Sequence, residues 1–158
     1  MKSLRQWLDE YSASHRHPIN KAIHWICVPV IAFTVFGLLR AVPLGGEFVN
    51  AATVGGALAL AYYLLLSWRL ALGAALVFAL MYAGVEASDH GLGGGHLPLM
   101  VAMFVLAWIF QFVGHKLEGA KPSFFKDLQF LLIGPLWLLA QVYRRLSLPT
   151  GEPRAAAA

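Results

Sequence analysis

The histidines of this chain are the residues whose type and spacing could do chemistry. His15, His17 and His24 lie near the amino terminus, and His115 lies far downstream with Glu118 three residues after it. Several imidazoles with a carboxylate, leaving some ligand positions open, suit non-haem Fe(II) and oxygen chemistry. The same side chains would also hold Zn²⁺ and activate a water molecule. The pattern therefore predicts a metal site and leaves the metal open.

His115 has two polar neighbours on the helical face that its spacing predicts. Gln111 precedes it by four residues and Glu118 follows it by three, so all three share one face if the helix continues. We expect Gln111 to orient the imidazole of His115. Glu118 either belongs to the site or pairs with Lys116 or Lys121.

The elements that position these residues must lie in lipid. Apolar residues make up 59% of the 158 and charged residues only 13%, whereas a soluble domain is about half apolar and about a quarter charged. The net charge of +4 is scattered between hydrophobic runs, which favours lipid head groups as partners over nucleic acid. The polar first eighteen residues lack the apolar core of a signal peptide, so we expect internal helices to drive insertion.

Four apolar runs are candidates to cross a bilayer, which takes about 20 residues with a range of about 17–25. They are residues 22–39, 48–68, 70–85 and 97–114. A fifth run, 128–143, is short and has Gly134-Pro135 at its centre, and it predicts a re-entrant or interfacial helix. The predicted fold is therefore all-α, a bundle of four transmembrane helices with two accessory helices. Residues 1–150 form one membrane domain, and 151–158 form a disordered tail.

The amino-terminal segment predicts an amphipathic helix. Leu4, Trp7, Leu8 and Tyr11 fall on one helical face. This face either lies in the membrane interface or packs on another helix of the chain. Asn20 is placed to cap the first span.

The distribution of Lys and Arg predicts a cytoplasmic amino terminus. An even number of crossings then returns His115 to the cytoplasmic end, where His15 and His24 also lie. His90 and His96 fall at the opposite end, about 30 Å away. We expect both of them to be solvated beside Asp89. The loop they share has a glycine-rich segment, residues 91–95, that is expected to form a flexible turn.

The positions of the histidines relative to the apolar runs distinguish them further. His24 and His115 lie at the edges of apolar spans, where polar groups are costly and tend to mark function. His17 is expected to be an interfacial side chain. The single cysteine, Cys27, lies in an apolar run and is expected to be a small buried hydrophobic residue.

Two sequence blocks resemble the Mpo1-like family over residues 11 to about 145. The first block is Tyr11-x-x-x-His15-x-x-Pro18-x-Asn20-x-x-x-His24-x-x-x-x-Pro29. The second is Trp108-Ile-Phe-Gln111-Phe-Val-Gly114-His115-x-x-Glu118, followed by Lys121-Pro122. The histidines and prolines carry the specificity of these blocks, because the runs between them are merely hydrophobic.

This resemblance implies an Fe(II)-dependent membrane dioxygenase. Its substrates would be O₂ and a 2-hydroxy fatty acid, or a related acyl lipid, which α-oxidation shortens by one carbon. The family's important histidines map onto His15, His24 and His115, which would hold Fe²⁺ on the cytoplasmic side. Glu118 would be catalytic, as a fourth ligand or as the base for the 2-hydroxyl. The membrane would be a bacterial inner membrane, or the endoplasmic reticulum if the source is eukaryotic.

Other classes of function remain open from the residues alone. A zinc-dependent membrane lipid hydrolase would use the same ligands. A transporter or scaffold would use the histidines for packing or pH sensing, although the spans are polar only at their ends, which weakens this reading. Haem bound between helices is a minor option.

Overall fold

The computed structural model describes residues 2–45, 48–119 and 124–151, and these residues are helical apart from their connections. The helices are α1 (Leu4–Ala13), α2 (Pro18–Arg40), α3 (Ala51–Leu66), α4 (Trp68–Leu92), a 3-10 turn (Gly93–Gly95), α5 (His96–Glu118) and α6 (Phe124–Arg145). Within the described ranges the extended pairing is an isolated bridge between Pro43 and Asn50. The all-α prediction is confirmed.

Helix α1 packs on α6. Ser3 and Gln6 form a reciprocal capping box that starts the helix. Leu4, Leu8 and Tyr11 are buried in one cluster with the apolar side chains of α6. Of the two expectations for the amphipathic face, the structure shows packing on another helix of the same chain.

Helix α2 is the central helix, in contact with α3, α4, α5 and α6. It begins at Pro18, whose fixed φ suits the first helical position. His17 caps it by accepting a hydrogen bond from the backbone N–H of Ile19 at 3.3 Å. The prediction that Asn20 caps this helix is wrong, because Asn20 lies inside the first turn and is fully buried. Cys27 is a free, buried cysteine, as expected.

The boundaries of α3 and α4 differ from those predicted. Asn50 caps α3, and Ser67 both ends α3 and caps α4, so α3 has only 16 residues. Helix α4 does not end at residue 85, where the predicted third run ends, and the carboxylate of Glu86 pairs with Arg40 of α2. The helix continues to Leu92, so the glycine segment is partly helical rather than a flexible turn.

Among the residues that the structure describes, two helical stretches are long and apolar enough to cross a membrane. They are Pro18–Arg40 and the 51 residues Trp68–Glu118, which comprise α4, the 3-10 turn and α5; α3 is apolar but shorter. The fifth run lies in one continuous helix that passes through Gly134 and Pro135. Apart from Gly151, the predicted tail lies outside the described residues.

The contact between α4 and α6 yields a stability prediction. An added Cβ on Gly73 would meet Leu139 Cδ2 and Tyr143 Cε2 at 3.1 Å, and the Tyr143 hydroxyl donates to the carbonyl of Arg69 at 2.9 Å. We expect Gly73→Ala to lower the free energy of unfolding by about 1–3 kcal/mol through overpacking. Gly91→Ala, with nothing within 4 Å of the added Cβ, should instead stabilise the helix by up to about 1 kcal/mol. Thermal unfolding in detergent measures both, and equal stabilisation by the two variants would contradict the close α4–α6 contact.

Candidate metal centre

Three histidines from separate elements meet at one end of the bundle. His15 lies in the α1–α2 connection, His24 in the second turn of α2 and His115 in the last turn of α5. One nitrogen from each ring lies within 4.8 Å of the other two. His15 and His24 are 1% and 2% exposed. The structure therefore brings together the three residues that the sequence pattern and the resemblance singled out.

The backbone determines the orientation of two of these rings. Nδ1 of His15 lies 2.6 Å from the carbonyl oxygen of Tyr11, and Nδ1 of His24 lies 2.9 Å from that of Asn20. A carbonyl oxygen only accepts hydrogen bonds, so each neutral ring carries its proton on Nδ1. Metal-binding histidines commonly donate their second nitrogen in this way.

The two remaining nitrogens then face each other. Nε2 of His15 lies 2.9 Å from Nε2 of His24, and in the tautomers just described both atoms present lone pairs. A shared cation removes the resulting repulsion. Three converging imidazole nitrogens are a donor set that fits a first-row divalent metal.

The electrostatic environment keeps His15 neutral. Burial lowers the pKa of His15 to about 4, although the hydrogen bond to the carbonyl of Tyr11 acts in the opposite direction. The imidazole is therefore uncharged near pH 7, which is the form that binds a metal ion. The ring of Tyr11 stacks on that of His15 with centroids 4.1 Å apart.

Glu118 joins the end of α5 to the start of α2. Its carboxylate accepts hydrogen bonds from the backbone N–H groups of Arg16 at 2.7 Å and His17 at 2.8 Å, and from Nδ2 of Asn20 at 3.0 Å. Both carboxylate oxygens are engaged, and Glu118 is not part of the three-nitrogen cluster. A carboxylate at a helix amino terminus is also favoured by the helix dipole. The geometry gives Glu118 a positioning contact; its predicted catalytic role stays a prediction.

His90 and His96 lie apart from the cluster. Helix α5 has 23 residues and is therefore about 35 Å long, with His96 at its start and His115 near its end. His90 is exposed, 3.9 Å from Glu86. The expectation that His96 is solvated is wrong: it is 3% exposed, and its Nδ1 lies 2.9 Å from the hydroxyl of Ser88.

Gln111 does not play the part expected of it. Its side chain is buried, and its Oε1 has no hydrogen-bond partner within the part of the chain that the structure describes. The proton positions of His15 and His24 are instead set by backbone carbonyls four residues earlier in the chain. The sequence did contain a sign of this arrangement. Tyr11 and His15, like Asn20 and His24, are four residues apart, so each carbonyl lies one helical turn before the ring it contacts.

An apolar cavity of ≈ 220 Å³ opens from the three histidines. Its wall follows α2 from His24 past Val28 and Val35 to Leu39, a distance of about 22 Å along the helix. Small residues of α3, Gly55 and Gly56 among them, line its far part. The polar end of the cavity is thus the histidine cluster, and the rest can hold an extended apolar group.

These features define a class of protein, an all-helical bundle with a candidate histidine metal centre at the head of an apolar cavity. The chain belongs to the Mpo1-like family, described as "2-hydroxy-palmitic acid dioxygenase Mpo1-like", which it matches over residues 1–146. The family indicated by the two sequence blocks is confirmed.

A yeast protein is similar over most of the chain. This relative, the 2-hydroxy-palmitic acid dioxygenase MPO1 of Saccharomyces cerevisiae, is 29% identical over 145 residues, covering 90% of this chain and 81% of its own length. No solved structure matches the chain.

The close approach of α2 and α5 yields a prediction about the metal. Gly114 precedes His115, and an added Cβ there would overlap Oδ1 of Asn20 and lie 3.4 Å from Ile23 Cδ1. Gly114→Ala should displace Asn20, whose carbonyl oxygen holds the ring of His24, and should weaken metal binding about 10–100-fold. Metal titration of purified protein measures this effect, with Gly91→Ala as the matched helical control. Wild-type affinity in Gly114→Ala would contradict the role of this contact.

Proposed function

We propose that this protein is an Fe²⁺-dependent membrane dioxygenase that shortens 2-hydroxy fatty acids by one carbon. The observation that carries the proposal is the pair of Nε2 atoms 2.9 Å apart, in rings whose other nitrogens face backbone carbonyls, at the polar end of an apolar cavity. Membership of the family and the name of the yeast relative support the same activity.

His15, His24 and His115 would hold the metal. Three imidazoles leave open positions for substrate and O₂, as in other non-haem iron sites. When bound, Fe²⁺ would supply the redox chemistry that cleaves the C1–C2 bond with one O₂, giving the shortened acid, carbon dioxide and water. The protein contributes neutral, oriented imidazoles and a cavity that excludes water.

The cavity suits a long acyl chain. It extends from the histidines to Leu39, about 22 Å along α2. With C–C bonds of about 1.5 Å, an extended chain of about 17 carbons covers that length. The carboxylate would lie at the histidines and the tail among the apolar side chains of α2, α3 and α6.

The polar rim would receive the carboxylate. Arg16 and Lys116 lie beside the histidine end, and their positive charge would steer an anionic head group to it. Glu118 would position the α1–α2 connection by accepting its N–H groups.

We propose that α2 to α5 cross a lipid bilayer, in a bacterial inner membrane or in the endoplasmic reticulum of a eukaryote. Large apolar side chains on the outer surface support this placement, because water would not tolerate so many of them; Leu58, Leu65 and Leu72 are 68%, 69% and 61% exposed. The basic residues near the histidine cluster favour the cytoplasmic side for the site.

Replacing His115 tests the metal and the reaction together. We expect His115→Ala to lose bound iron and O₂-dependent turnover of 2-hydroxypalmitic acid, because one of three ligands is removed, while still inserting in the membrane. Iron analysis of anaerobically purified protein and O₂ consumption measure the two effects. His90→Ala, exposed at the other end, should keep both.

The same experiment distinguishes the alternatives. Bound zinc with oxygen-independent turnover of an acyl lipid would identify a hydrolase. Full activity of His115→Ala would end the proposal, and wild-type protein that binds no metal and turns over no acid would indicate a transporter or scaffold. Visible absorption of the pure protein would reveal haem.

The far end of the cavity yields a prediction about chain length. An added Cβ on Gly56 would lie 3.1 Å from Phe36 Cε1, so a leucine there would fill the end of the cavity. We expect Gly56→Leu to lower turnover of 2-hydroxypalmitic acid about 10-fold, the cost of overpacking by about 1.4 kcal/mol, and to spare 2-hydroxylauric acid. Steady-state rates over a series of acids measure the effect, with Gly91→Leu as the control outside the cavity. An unchanged length profile would contradict this placement of the tail.

A further inference from the structure

A second cleft lies between α1, α2 and α6, close to the histidine end of the bundle. Its volume is ≈ 290 Å³, near the lower limit of about 300 Å³ for small-molecule sites. Polar and basic side chains make up most of its lining: Ser12, Lys21, Trp137, Gln141, Arg144 and Arg145. Three of these six are cations, and no acidic residue of the described ranges is among them. The charge of the cleft therefore favours an anionic ligand.

Helical spacing and one hydrogen bond bring the lining residues together. Trp137, Gln141 and Arg145 follow one another at intervals of four residues, so they are neighbours on one face of α6. The indole Nε1 of Trp137 donates to the hydroxyl of Ser12 at 2.8 Å, which joins this face to α1. Lys21, in the first turn of α2, lines the cleft from the third helix.

The side chain of Arg145 is held by an aromatic ring. Its guanidinium carbon lies 4.9 Å from the centroid of the Trp25 ring, within the distance of a cation–π contact. A guanidinium group over a ring keeps N–H donors in its own plane, and their geometry matches the oxygens of a phosphate. Lys21 precedes Trp25 by four residues, so both lie on one face of α2. Two cations are thus presented to the cleft by neighbouring positions.

The charges in the cleft call for a counter-ion. Within the part of the chain that the structure describes, neither Lys21 nor Arg145 pairs with a carboxylate, because the ion pairs there are formed by other residues. A single surface cation is satisfied by water, whereas cations that share one cleft repel each other. A bound anion removes this repulsion and gives their N–H groups an acceptor.

The surroundings of the cleft indicate the source of the anion. Ile26 and Leu146, which directly follow Trp25 and Arg145 in the chain, are 68% and 63% exposed. Tryptophan beside basic residues is typical of the membrane–water interface, where basic pockets bind lipid head groups. A free phosphate would leave the exposed apolar side chains uncovered, whereas the acyl chains of a phospholipid would cover them.

We propose that this cleft binds the phosphate head group of an anionic phospholipid, an inference that rests on the proposed membrane location. The in-plane N–H groups of Arg145 donate to the phosphate oxygens, and Lys21 supplies a second positive charge. The acyl chains lie against Ile26 and Leu146. The bound lipid bridges α2 and α6 at the end of the bundle that holds the histidines.

Lipid titration of the purified full chain in detergent tests the cleft without iron or turnover. Native mass spectrometry counts the phospholipids bound to delipidated protein as their concentration rises. We expect one phosphatidylglycerol to bind at least about 10-fold more tightly than phosphatidylcholine, which has no net charge. Arg145→Gln and Lys21→Gln should each weaken phosphatidylglycerol binding about 10-fold, because each removes one charge-assisted hydrogen bond.

A matched control separates the cleft from the net charge of the protein. Arg5→Gln removes the same charge from α1, where Arg5 lies 3.7 Å from Asp9 and outside the cleft, and it should keep the wild-type affinity. Equal weakening by all three variants would indicate general attraction to a basic protein and overturn the site. Displacement of the lipid by an equal concentration of inorganic phosphate would assign the cleft to a soluble anion instead.

The outcomes distinguish this proposal from the proposed function. If the wild type binds both phospholipids equally, the lipid site is wrong, while bound iron and O₂-dependent turnover would still support the dioxygenase. If His115→Ala keeps full activity, the dioxygenase proposal ends and the lipid result stands, because none of the three histidines lines the cleft. A chain that stays in solution without detergent would end the membrane location and the lipid site together.

Discussion

The close approach of two imidazole nitrogens, one from His15 and one from His24, is the interaction on which the rest of the structure depends. His15 and His24 each direct Nδ1 to the carbonyl oxygen four residues earlier, and their Nε2 atoms meet at 2.9 Å. Such an approach of two lone pairs is unfavourable unless a positive charge lies between them. If that charge is a metal ion, the bend between α1 and α2 and the burial of both rings serve to bring its ligands together.

Holding the two rings in place requires residues from both ends of the chain. Glu118, on α5, accepts the N–H groups of Arg16 and His17, which keeps the connection before α2 beside His115. Gly114 permits the contact between α5 and Asn20, because any larger side chain would overlap it. Glu118, in the second sequence block, thus stabilises the first block. This contact keeps the three histidines of the proposed centre together.

The cavity connects the centre to the proposed reaction. In the proposed function, its apolar wall would hold the acyl tail and the histidines would bind the head group through the metal. The exposed leucines fit the proposed membrane location, and from a membrane a fatty acid would reach the cavity through lipid without crossing water.

The sequence by itself determined the family and the all-α fold, because motif spacing and hydrophobic periodicity are local properties. It also predicted the meeting of His15, His24 and His115, because an even number of helical passes returns His115 to the end of the bundle where the other two lie. Only the tertiary structure decided which groups Glu118 contacts, which side chain pairs with Glu86 and why His96 is buried. Each of those outcomes depends on a partner distant in the chain, such as Arg40 for Glu86. Spacing predicts which helical face a polar side chain occupies, but the packing of helices determines which donor or acceptor it meets there.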